Sequence, residues 1–101
     1  MRALLAAPHP PTAAVCYNDV CAFGVLLGLM ESGMRPRRDF GVVGFDNIAD
    51  AALVRPALTT IAIDPHRIGE EAASLLLRRI ADPGGRPERI IMPSRLIVRD
   101  T

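Results

Sequence analysis

Apolar and polar positions alternate along this chain in blocks, and the blocks differ in period. Met1–Ala7 has the look of a short helical piece, cut off by Pro8, Pro10 and Pro11, which cannot continue a helix. Residues 14–17 (AVCY) form an apolar run that predicts a buried strand. Asn18 or Asp19 can then cap a helix running to about Ser32, with Gly33 as its stop. MRPRRD (34–39) is a polar loop, and Phe40–Phe45 predicts a second buried strand. Residues 47–54 (NIADAALV) suit a short helix ending before Pro56. LTTIAI (58–63) is rich in β-branched residues and predicts a third strand. Asp64 caps a second long helix with Pro65 at its first position. Its apolar stripe is Ile68, Ala72, Leu75, Leu76 and Ile80. After the turn DPGG (82–85), short strands are expected at Glu88–Met92 and Leu96–Arg99.

Strand, helix, strand with a connection of this length predicts a right-handed parallel crossover and an α/β fold. The two long helices differ in kind. The second is one-faced, whereas Val20–Met30 is apolar nearly all round and has to be covered on two sides. The sheet covers one. The other calls for a partner lobe, a second subunit or the rest of a larger core, and Gly24 and Gly28 would permit close approach there.

Composition narrows the functional classes. The chain has 101 residues, enough for one small domain; half are apolar and 23% are charged. All twelve basic residues are Arg, against eleven acids, so no lysine can form a Schiff base or a phosphate-binding loop. A formal net charge of +1 gives no general attraction to nucleic acid or membrane. The run Val20–Met30 is too short to span a bilayer, and residues 1–11 lack the pattern of a signal peptide. Cys16 and Cys21 are expected as free thiols in a reducing cytoplasm.

Catalytic and metal chemistry finds little support. Gly41 and Gly44 do not make a dinucleotide fingerprint. His9, Cys16, Cys21 and His66 match no zinc spacing. Ser32, Ser74 and Ser94 stand in no nucleophile elbow, and Arg35, Arg37 and Arg38 lie in an ordinary charged loop. No catalytic residue, cofactor or metal is expected, and no recognition helix is readable. Binding chemistry is better served. Asn18 and Asp46 follow two successive strands of one crossover unit, and ligands of open parallel sheets sit outside such strand ends. An amide and a carboxylate suit neighbouring hydroxyl or ring N–H groups of a small polar ligand. Without further context, the simpler reading comes first: both cap the segments that begin just after them.

AVCYNDVCAFGVLLGLMESGMRP, DFGVVGFDNI, ALTTIAIDPHRIGEEAASLLL and PSRLIVRD, in that order and spacing, resemble the C-terminal part of LacI/GalR-family bacterial transcription regulators over about residues 12–100. The resemblance implies a parallel three-layer α/β lobe of the periplasmic-binding-protein-like fold, here incomplete, with residues 1–11 as a lead-in and 12–101 as the C-terminal portion of the sensor domain. The DNA-binding helix-turn-helix and first lobe would lie outside these residues. It implies a sugar-like or nucleobase-like effector held by Asn18 and Asp46, and a homodimer interface with Phe23, Leu27 and Val54. Operator DNA would be bound only through the missing domain, in the cytoplasm and without a membrane. In that family the stretch after LTTI crosses to the other lobe, so the stripe Ile68–Ile80 would be exposed or differently packed here. RPRRD is more basic than the usual family loop. A piece of a periplasmic sugar-binding protein is the competing reading, and a small α/β hydrolase or transferase a third.

Overall fold

The computed structural model describes residues 1–101, apart from the side chain of Arg2. Its elements are α1 (Arg2–Leu5), β1 (Ala13–Val15), α2 (Asp19–Glu31), β2 (Gly41–Asp46), α3 (Asp50–Leu53), β3 (Thr59–Ala62), α4 (Pro65–Ala81) and β4 (Arg95–Ile97). They fall into two compact units, Met1–Ala62 with Arg95–Thr101, and Ile63–Ser94.

The first unit carries a four-stranded sheet in the order β1-β2-β3-β4. β1, β2 and β3 are mutually parallel, as the crossover argument requires, and β4 runs antiparallel to β3. Asn18 caps α2 by accepting the Cys21 N–H at 2.8 Å, and the chain leaves the helix through Gly33 at φ 72°, a conformation that costs glycine nothing. Asp19, Ala22, Leu26 and Leu29, spaced at helical intervals, form the buried face of α2. With Phe40, Val42, Ala51 and Leu58 the three apolar members make the core. In β2 only alternate residues, Val42 and Gly44, are fully buried, as strand geometry dictates.

Two expectations for strands fail. Residues 14–17 suit a buried strand, yet β1 is a sheet edge, with Val15 77% exposed and Tyr17 89% exposed. An apolar run states what a strand tolerates, but burial on both faces needs covering elements that this edge lacks. Glu88–Met92 forms no strand. It lies in the second unit, where among the described residues no strand edge pairs with it, and an unpaired strand satisfies none of its backbone groups.

The second unit is built on α4. Asp64 accepts the Arg67 N–H at 3.0 Å, Pro65 opens the helix, and Arg78 and Arg79 lie in its last turn. Arg78 donates to both carboxylate oxygens of Glu88 at 3.2 and 3.1 Å, and Arg79 donates to the Gly85 carbonyl, folding the turn back on the helix. None of the residues of α4 is fully buried, and Ile68, Leu76 and Ile80 of its stripe are exposed.

Candidate functional site

Register places the two candidate ligand residues together. Val15 of β1 pairs with Val43 of β2, so Asn18 and Asp46 each stand three residues beyond that pair on the same edge of the sheet. Beyond Val15 the strands stay linked, since the Cys16 N–H donates to the Val43 carbonyl at 2.8 Å. Asn18 is half-buried and its Oδ1 is occupied as the cap of α2. Its Nδ2, with two donors, has no partner among the described residues. The capping role and a ligand role therefore use different atoms of one side chain.

Asp46 closes β2 opposite Ala62 and has φ 103°; Asn47 follows at φ 55°. Two successive non-glycine residues at positive φ form a strained corner of the sort that gathers at binding sites. Among the described residues, none donates a hydrogen bond to the Asp46 carboxylate, whereas several groups near it are engaged. The Asn47 N–H reaches Thr60 Oγ1 at 3.4 Å, and the Ile48 N–H donates to Asp19 Oδ2 at 2.9 Å. Arg99 Nη2 donates to Asn47 Oδ1 at 2.8 Å while its Nη1 donates to the Leu58 carbonyl at 2.7 Å. The edge thus presents amide donors and a carboxylate acceptor, a set that binds neighbouring hydroxyls without any nucleophile.

Sequence reasoning missed the polar framework beneath this edge. Asp19 is fully buried and accepts from Thr60 Oγ1 at 2.5 Å as well as from Ile48. Thr101 donates to the Val42 carbonyl and accepts from the Thr59 N–H, and the Thr59 hydroxyl donates to the Thr101 carbonyl. One signal was available: Asp19 shares helical spacing with Ala22, Leu26 and Leu29 and so belongs to their buried face. For Thr60 and Arg99 there was none, because their partners lie 41 and 52 residues away.

The surface expected to dimerise is partly spoken for. Phe23 and Val54 pack against the core from one side, and Leu27 is 57% exposed. Phe23, Leu26, Met30, Val54 and Arg55 line a shallow groove of about 230 Å³. Val20 and Leu53 are exposed as well. Close approach to Gly28 is taken up by Met1, whose Cβ lies 2.8 Å from where a side chain at Gly28 would begin; Gly24 has open space. The polar loop holds an ion pair, Arg35 Nε to Asp39 Oδ2 at 2.9 Å. Hydrogen bonds from the Arg35 side chain and backbone lower the Asp39 pKa to about 2. Cys16 and Cys21 are both free thiols; partial burial, then the neighbouring Cys21, pushes the Cys16 pKa up.

This parallel crossover unit, with its polar edge, matches the family described as periplasmic binding protein-like domain over residues 1–101. The chain belongs to that family. The chain is 39% identical over 99 residues to the HTH-type transcriptional repressor PurR of Escherichia coli O139:H28, covering 98% of this chain and 29% of the repressor. A LacI-type regulator from Bacillus cereus subsp. cytotoxis superimposes with a TM-score of 0.90 at 29% identity, over 99% of this chain and 36% of that one. A LacI-family regulator from Enterococcus faecium with bound ribose gives 0.77 at 35% identity, over 98% and 36%. A lac repressor dimer bound to operator and the anti-inducer ONPF gives 0.78 at 33% identity, over 90% and 32%. The chain thus spans about a third of the length of these relatives, which are transcription regulators.

Proposed function

We propose that this chain is part of the effector domain of a cytoplasmic LacI-family transcription regulator that binds operator DNA by a separate domain, and that it senses a small polar ligand, sugar-like or nucleobase-like, through Asn18 and Asp46. The observation that carries the reading is the unengaged Asp46 carboxylate, held at a strained corner beside the Asn18 amide on one sheet edge. A relative with bound ribose lends it support. So does the second unit, whose helix stripe has no core of its own and suits packing on a lobe made by other chain segments. The exposed row of Val20, Leu27, Met30 and Leu53, with Phe23 and Val54 beside it, serves a homodimer contact in this reading. Sugar binding in a periplasmic transport protein is the alternative use of the same fold. The regulator relatives and the free cysteines favour sensing.

The test is calorimetric titration of the full-length protein with ribose, lactose, cellobiose and a set of nucleobases. Asp46→Asn keeps the shape and removes the charge. A hydrogen bond to a charged group contributes about 1.5–3 kcal/mol, so affinity is expected to fall about tenfold to a hundredfold. Unchanged affinity for a compound that the wild type binds would remove Asp46 from the site.

A further inference from the structure

The carboxylate of Asp19 is fully buried, an arrangement that disfavours a charged group unless its oxygens are well satisfied. Capping does not account for it, because Asn18 already serves the exposed start of α2. Instead one oxygen meets the segment just after Asp46 and the other meets β3. Oδ2 accepts the Ile48 N–H at 2.9 Å, and Oδ1 accepts the Thr60 hydroxyl at 2.5 Å. Thr60 in turn lies 3.4 Å from the Asn47 N–H. Room for the carboxylate exists only because Gly44 has no side chain: a Cβ there would collide with Asp19 Oδ1 and stand 3.2 Å from its Cγ. The N-terminus of α2 supplies a favourable field for the charge.

Residues 46 and 47 are both at positive φ, and a corner of that kind persists only when its surroundings over-determine it. The Asp19 carboxylate is the group that joins the start of α2, the end of β2 and the middle of β3 at one point. We propose that Asp19 is a positioning residue: through the Ile48 amide and the Thr60 hydroxyl it fixes the Asp46–Asn47 corner, and so sets Asp46 relative to Asn18. Its importance for ligand binding rests on the reading of Asp46 as a ligand contact; its hold on the corner does not. Asn at position 19 can keep that hold, with its carbonyl oxygen facing the Ile48 N–H and its amide donating to a rotated Thr60 hydroxyl. Ala cannot.

The experiment is backbone NMR of the 101-residue chain as wild type, Asp19→Asn, Asp19→Ala and Thr60→Val. Chemical shifts at residues 46 and 47 report the left-handed backbone, and amide exchange at Ile48 reports the hydrogen bond. In Asp19→Ala, Ile48 exchange is expected to accelerate about tenfold to a hundredfold relative to Val42 and Gly44, with loss of the left-handed shifts. Asp19→Asn should stay near wild type. The proposal is overturned if Asp19→Ala leaves the corner unchanged, or speeds Val42 and Gly44 by the same factor. If Asp19→Ala does not fold, Thr60→Val decides, since it keeps the carboxylate: a disturbance confined to Asn47 and Ile48 supports the proposal and an undisturbed corner ends it. No ligand enters this experiment, so its failure leaves the Asp46 reading to its own titration.

Discussion

Gly44→Ala adds one methyl group at the most crowded point of the molecule. A Cβ at Gly44 would overlap Asp19 Oδ1 and stand 2.9 Å from Leu58 Cδ2. Neither neighbour yields easily. Leu58 is fully buried in the core, and the carboxylate is held by Thr60 and by Ile48. Overpacking costs about 1–3 kcal/mol, and displacing the carboxylate loses hydrogen bonds to a charged group at about 1.5–3 kcal/mol. The sum, about 2.5–6 kcal/mol, is a large share of the roughly 5–15 kcal/mol that holds a domain folded. At about 4–8 °C per kcal/mol for a chain of this size, the midpoint should fall by at least about 10 °C. Gly24→Ala is the internal control. Its Cβ meets nothing within 4 Å on the same α2 helix, so it should gain up to about 1 kcal/mol from helix propensity. Thermal melts followed by circular dichroism compare the two directly. Equal melting of Gly44→Ala and wild type would refute the packing argument, as would equal losses at both glycines.

Asn18→Ala should cost about 1 kcal/mol of stability even without ligand, because the Cys21 N–H loses its cap; Asn18→Asp should restore the melt while reversing the polarity offered to a ligand. Asp39 has a pKa lowered to about 2 by Arg35, so the pair stabilises the fold above the ordinary carboxylate range and loses that contribution as pH falls from about 4 toward 2; Asp39→Asn should flatten this part of an acid-unfolding curve. Phe23→Arg introduces a charge beside exposed Leu27 and Met30, so sedimentation should show weaker self-association of the 101-residue chain at micromolar concentration; a wild type that runs as a clean monomer would count against this surface as the dimer contact.

Local rules carried the sequence a long way. The apolar run before Asp46, a cap at Asn18 or Asp19, the stop at Gly33 and the Asp64-Pro65 start of α4 are each decided by a few adjacent residues, and they made the parallel α/β order legible. Asn18 and Asp46 could be paired because a crossover unit brings successive strand ends to one edge, a matter of topology and not of packing detail. Tertiary structure decided the rest. Residues 88–92 suit a strand, but a strand forms only against a partner, and among the described residues no strand pairs with them. Asp19 and Asn18 are neighbours of similar chemistry, and either could cap a helix. Only the fold sends one to the surface and turns the other beneath Gly44, toward Thr60 from a distant strand. A hydrogen bond between residues 41 apart leaves no local trace in sequence, because its geometry exists only once the sheet and helix have packed.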